Sequence, residues 1–153
     1  MGVRANRQGS NGKYHNVVGR FFPQNPSKVA GNSSTIVYKS RLEYRMMAYL
    51  DRNPKIVKWC YESFPIKYLD KSSMPPKIRN YWIDFTAVAK TATGYKKIWI
   101  EVKSKRETQP PKSKKNIREN LTWIKNLSKW TAAKQLAESK GFQFCVVCED
   151  QLT

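Results

Sequence analysis

Asn80-Tyr81-Trp82-Ile83-Asp84-Phe85-Thr86-Ala87-Val88-Ala89, followed by Thr91-Ala92-Thr93-Gly94 and then Lys97-Ile98-Trp99-Ile100-Glu101-Val102-Lys103, carries the clearest structural message of the chain. Both outer runs are rich in β-branched and aromatic residues, and the four residues between them have turn chemistry, so the stretch predicts two strands joined in a hairpin. Residues two apart share a face of a strand, which points Trp99, Glu101 and Lys103 one way and Ile98, Ile100 and Val102 the other. If the strands pair around the turn, Asp84 comes close to Glu101; these residues alone do not fix the register.

Working outward, Ser40-Arg41-Leu42-Glu43 has the S-x-x-E form of a capping box. Leu42, Met46, Tyr49 and Leu50 then recur at helical spacing until Asn53-Pro54, which predicts a helix over about 40–52. Val57 to Tyr68 reads as one or two strands with a break near Pro65, and Lys71 to Lys77, with Pro75-Pro76, as a loop. Downstream, Arg106 to Asn116 is a charged, proline-broken loop, Ile117 to Lys140 a long helix closed by Gly141, and Phe142 to Cys148 a last strand. Trp123, Leu127, Trp130 and Ala137 are expected to form the core face of that helix. This order of elements indicates an α/β fold with a mixed central sheet flanked by helices. Two parts are expected: an extended basic N-terminal arm over 1–35, rich in Gly, Asn, Ser, Arg and Lys, and a domain over 36–153. Composition does not decide whether the arm is disordered or folded against the domain.

The chain has 153 residues, with 29 Lys and Arg against 11 Asp and Glu, a formal charge of +18. Such a balance points to a polyanionic partner, DNA or RNA before all others. A membrane is not expected, because no apolar run approaches the roughly 18 residues that a span needs. Cys60, Cys145 and Cys148 are expected to be reduced, buried thiols. The Cys145-Val146-Val147-Cys148 spacing invites a zinc reading, but His15 is the one histidine and no second such pair exists, so a four-ligand site lacks donors.

In so basic a chain, acid placed beside acid needs a reason. Asp84 and Glu101 are hard oxygen donors suited to Mg²⁺ or Mn²⁺, and Lys103 beside them can orient or deprotonate a water and offset charge on a phosphoryl transition state. Glu43, on the helix, is a third candidate ligand, though its capping role explains it equally well. Lys105, Arg106, Lys112, Lys114, Lys115 and Arg118 follow directly and are candidate phosphate contacts, as are Arg4, Arg7, Lys13 and Arg20 of the arm. On the long helix, Lys134 and Gln135 are candidates to reach the site.

At these residues the chain resembles the PD-(D/E)xK nuclease superfamily, with Ile83 where a proline usually precedes the aspartate. The run Trp59-Cys60-Tyr61-Glu62-Ser63-Phe64-Pro65-Ile66-Lys67-Tyr68 is similar to its TnsA-like branch. Gly19-Arg20-Phe21-Phe22-Pro23-Gln24-Asn25-Pro26-Ser27-Lys28-Val29-Ala30-Gly31-Asn32, followed by Tyr38-Lys39-Ser40-Arg41-Leu42-Glu43, resembles the head completion nucleases of T4-like tailed phages. The resemblance implies a restriction-endonuclease-like core, metal-dependent cleavage of DNA after packaging, and portal, neck or capsid proteins as partners. It places the protein in the host cytoplasm during assembly or at the head–neck vertex of the virion. Two other readings stay open: a nuclease-fold protein that docks on DNA or capsid without cutting, and a cellular TnsA-like endonuclease.

Overall fold

The computed structural model describes residues 4–5 and 17–152. Along the chain run β1 (Arg4–Ala5), β2 (Val17–Arg20), β3 (Val37–Tyr38), α1 (Arg41–Arg52), β4 (Ile56–Tyr61), β5 (Pro65–Asp70), β6 (Lys77–Trp82), β7 (Phe85–Thr91), β8 (Gly94–Val102), α2 (Ile117–Ser139) and β9 (Gln143–Val147). The central sheet has the order β4-β7-β8-β9. Its first three strands are antiparallel, and β9 lies parallel to β8. Parallel neighbours require a long crossover, and α2 supplies it. The α/β class and the mixed, helix-flanked sheet therefore follow from the connection lengths.

The expected hairpin forms with Thr91 paired to Gly94, so that Ala92-Thr93 make a two-residue turn. Gly94 has φ 134°, a region closed to most side chains. The expected single strand from Asn80 to Ala89 is instead two strands in different sheets. β6 pairs with β5 in a separate two-stranded sheet, while β7 pairs with β4 and β8. The chain changes sheets at Ile83-Asp84, so Asp84 sits on a bend and not within a strand. The opposite crossing, from β4 to β5, runs through Glu62–Phe64, and the Glu62 amide donates to the Asp84 carbonyl at 2.9 Å. One hydrogen bond thus ties both crossings together.

Two clusters of buried side chains lie on opposite faces of the central sheet. On the α1 side Met46, Met47 and Leu50 meet Trp59, Phe85, Ile100 and Val102. On the other side, under α2 and the β5–β6 hairpin, Ile66, Tyr68, Tyr81, Ile83, Ala133 and Ala137 surround Trp99. The alternation read along β8 is therefore real, but both of its faces are covered. Each fully buried large apolar side chain contributes about 1.5–3 kcal/mol.

Of the stretch expected as a basic arm, residues 17–35 are built into the first cluster, where Phe21 and Val29 are buried. The Gln24–Lys28 segment closes the C-terminal end of α1. Buried Asp51 accepts from the amides of Gln24 and Asn25 at 2.8 and 3.0 Å. The Lys28 ammonium donates to the carbonyls of Asp51 and Asn53, both at 2.9 Å. A cation there satisfies carbonyls that the helix leaves open and complements its dipole. Of the candidate phosphate contacts in the arm, Arg7 and Lys13, like the Arg4 side chain, lie outside the described residues.

The C-terminus of α2 ends as expected: Gly141 has φ 73°. The Gly141 amide donates to the Glu138 carbonyl and the Phe142 amide to that of Ala137, a Schellman pattern. The core face of α2 differs from expectation. Asn126, Ala133 and Ala137 are its buried residues, whereas Leu127 is exposed and Trp123 stacks edge-on against Trp130 at the border. Hairpin β5–β6 packs so close to the helix that only small side chains fit between them. The three cysteines are free and half-buried.

Candidate active site

Ser40 accepts from the Glu43 amide at 3.1 Å and so starts α1. The Glu43 side chain does not return to the Ser40 amide. Its Oε2 accepts from the Lys39 amide at 2.6 Å and from the Tyr61 hydroxyl at 3.0 Å. Glu43 is thus held at the helix start, toward the end of β4.

Extending the β7–β8 register beyond the Phe85–Ile100 pair sets Asp84 opposite Glu101. Asp84 Oδ2 accepts from the Val102 amide at 2.9 Å, which anchors the bend to the end of β8. Glu101 is only 3% exposed. Its Oε2 accepts from the Tyr81 hydroxyl at 2.5 Å, and its Oε1 lies 3.4 Å from Lys103 Nζ. Lys103 stands one residue past β8, and its amide continues the ladder by donating to the Val147 carbonyl at 3.0 Å.

Burial pushes the Asp84 carboxyl well above the usual carboxylate range, and the Glu101 charge pushes it further; the Val102 amide and Lys103 only partly oppose this. Burial works to lower the Lys103 ammonium, yet Glu101, Asp84 and Glu107 outweigh it and hold Lys103 above the usual lysine value. Burial, then the carboxylates beside them, raise both Tyr61 and Tyr81, which therefore stay protonated and serve as donors.

The other two buried carboxylates make a contrast. Asp51 is satisfied by backbone amides. Asp70 accepts from the Ser72 amide and hydroxyl and from Arg79 at 2.8 Å. Asp84 and Glu101 instead press on each other, and such a pair is relieved by a cation or by a proton. Mg²⁺ takes one or two carboxylates and keeps water in its remaining positions, so two hard carboxylates side by side are a donor set that suits it. Among the described residues no three His, Cys, Asp or Glu side chains converge into a closed cage, though the Glu43 charge reaches Asp84 and adds to the rise of its carboxyl.

Two functional candidates were not read from the sequence. Tyr81 holds Glu101, and Lys129 of α2 lies over the Tyr81 ring, its Nζ 5.3 Å from the centroid. Burial lowers the Lys129 ammonium, and the charge of Lys103 lowers it further. Lys129 shares its helix face with Asn126 and Ala133, three and four residues away; that spacing, headed by Ala133 and Ala137, was the signal that could have found it. Lys134 is about 140° around the helix from Lys129 at 100° per residue. Lys134 and Gln135 are both exposed and are not brought to the acidic pair.

The basic loop divides into two groups. Lys105 pairs with Asp150 at 2.7 Å and Arg106 with Glu119 at 2.8 Å. Lys112, Lys114, Lys115 and Arg118 are exposed and have no acidic partner among the described residues.

This fold, with two carboxylates and a lysine gathered where β8 ends beside a chain crossing, is that of a nuclease. The family model for the N-terminal domain of TnsA-like endonucleases matches residues 53–149, and the chain belongs to that family, whose core is of the PD-(D/E)xK type. Asp84, Glu101 and Lys103 fall within the matched region, and Glu43 precedes it. The chain is also similar to the head completion nuclease of Enterobacteria phage T4, with 36% identity over 143 residues, covering 88% of this chain and 92% of that protein.

Proposed function

We infer that this nuclease is a Mg²⁺-dependent deoxyribonuclease, able to use Mn²⁺, that acts on packaged DNA in phage head completion before neck and tail attachment. The observation that carries the reading is the Asp84–Glu101 pair, mutually repelling in a chain of +18, with an ammonium 3.4 Å from Glu101. Asp84 and Glu101 would hold the ion, and Glu43, whose Oε1 stays available, would hold a water at its edge. A divalent ion in that place supplies Lewis-acid polarisation of a phosphoryl oxygen and activation of a water.

The protein's own groups supply the rest. Tyr81 and the Val102 amide fix one oxygen of each carboxylate, so that little reorganisation remains when substrate binds. Lys103, held charged, stabilises negative charge growing on the phosphate. Lys129, over the Tyr81 ring, holds its proton less firmly than a free lysine because burial and the Lys103 charge oppose it, and it adds a second cation beside the pair. Lys112, Lys114, Lys115 and Arg118 grip the DNA backbone without reading sequence.

Head completion is the role carried by the name of the T4 relative, and it implies portal, neck or capsid proteins as partners and assembly in the host cytoplasm. The test incubates plasmid and linear DNA with Mg²⁺ and the protein, with Asp84→Ala and Glu101→Ala beside it. Cleavage by the parent and none by the variants is expected, and equal cleavage by all three removes the site assignment. A head-to-tail joining assay with Asp84→Ala then separates catalysis from docking.

A further inference from the structure

On the α2 side of the central sheet lies a groove of about 1060 Å³, separate from the acidic pair. Its floor is the face of β4, β7 and β8 beyond the hairpin, and its far wall is the last turns of α2. Lys58, Lys67, Lys97 and Lys140 line it together with Phe64 and Trp99, and not one of its lining residues is acidic. None of these four lysines has a carboxylate partner among the described residues. Lys58, Val88 and Lys97 stand in one row across three strands, which sets the two lysines about 10 Å apart at the usual strand spacing.

One aromatic ring of the groove wall is open to a ligand. Phe64 is 37% exposed and stacks edge-on against buried Trp99 with ring centroids 5.4 Å apart. A duplex offers such a wall only phosphates, because its bases are stacked inward. An unpaired strand offers bases to an aromatic ring and phosphates to lysines, and that combination is how single strands are held without sequence preference.

The groove also leads toward the acidic pair. Phe64 lies two residues beyond Glu62, whose amide holds the Asp84 carbonyl. Trp99 and Glu101 share one face of β8, two residues or roughly 6.6 Å apart. Its volume exceeds the roughly 300–1000 Å³ that accommodates one drug-sized ligand, so more than a single nucleotide fits.

We propose that this groove binds an unpaired DNA strand flanking the scissile phosphate, which makes the preferred substrate a DNA end or junction carrying single-stranded nucleotides. The proposal rests on the nuclease reading for its role but not for its binding test. Anisotropy with a labelled oligothymidylate and with a blunt duplex, in EDTA and at fixed salt, compares the parent with Lys67→Glu/Lys140→Glu and with Phe64→Ala. Arg52→Glu/Lys55→Glu, at the end of α1 on the other side of the sheet, is the charge-matched control.

Groove variants are expected to weaken oligothymidylate binding about tenfold while changing duplex binding less than about twofold, and the control pair is expected to treat both ligands alike. Equal losses on both ligands, or none, overturn the proposal. Thermal melts of each variant show that the fold is retained, and the Lys67 and Lys140 pair is exposed enough to decide the matter if Phe64→Ala unfolds. A parent that cuts nothing but shows the selective loss sinks the nuclease role and leaves the groove. A parent that cuts in Mg²⁺ without the selective loss sinks the groove alone.

Discussion

Replacing Asp84 by asparagine should make the protein more stable and inactive at once. In the parent the Asp84 carboxyl is buried beside Glu101, and both effects raise its pKa well above the unfolded value of about 3.9. An acid whose folded pKa is raised binds more protons in the native state between the two values, so the parent loses stability as pH rises through that window. The substituted amide carries no charge and escapes that loss. Against it, the bond from the Val102 amide changes from charge-assisted to neutral, which costs about 1 kcal/mol. The repelled carboxylate, only partly offset by the Val102 amide and Lys103, costs about 2–3 kcal/mol. The net gain near neutral pH is therefore about 1–2 kcal/mol, comparable to other gains from relieving strained functional sites. In a chain of this size that raises Tm by roughly 2–8 °C. Thermal melts in EDTA across pH 4 to 8 measure it. The gain should shrink toward about pH 4 and vanish below it, where the carboxyl is protonated in both states. Mg²⁺ should raise the Tm of the parent and not that of the variant. A variant less stable at neutral pH, or a gain independent of pH, refutes the account of Asp84 as a charge held against repulsion.

Three further outcomes are expected. Asp51→Ala leaves the amides of Gln24 and Asn25 without their carboxylate acceptor and should cost about 1–3 kcal/mol in urea unfolding, with no change in the cleavage rate of the protein that remains folded. Lys112→Ala/Lys114→Ala/Lys115→Ala should weaken DNA binding and reduce the slope of log affinity against log salt by about one for each phosphate no longer gripped; an unchanged slope removes the loop from the DNA interface. Lys129→Met keeps the aliphatic packing over Tyr81 and should lower kcat at least tenfold with little change in KM, altering the pH–rate profile, an outcome that loss of structural support alone would not give.

Some of this molecule is written locally and some is not. α1 was readable because Ser40 caps it and Asn53-Pro54 ends it, and the β7–β8 hairpin because its turn chemistry sits between two alternating runs. The sheet change at Ile83-Asp84 was hidden: Tyr81, Ile83, Phe85 and Ala87 keep one unbroken alternation, although the first two serve one core and the last two the other. What marks the bend is the amide of Glu62, which comes from a different part of the chain. Likewise the segment between buried Phe21 and Val29 is anchored on Asp51, and no composition of residues 17–35 announces so distant a partner. In α2 the tryptophans drew the eye toward one face, while close packing had selected alanines, Asn126 and Lys129 for the other.

The crossing at Ile83-Asp84 has a temporal meaning as well as a spatial one. Glu101 belongs to the central sheet, its tyrosine donor comes from the β5–β6 hairpin, and Asp84 is the joint between those two bodies. Glu43, with its own tyrosine from β4, is fastened on the opposite layer. A chain with only one of its two cores assembled has not yet gathered these acids. The architecture thus ties the assembly of the candidate site to the completion of both cores.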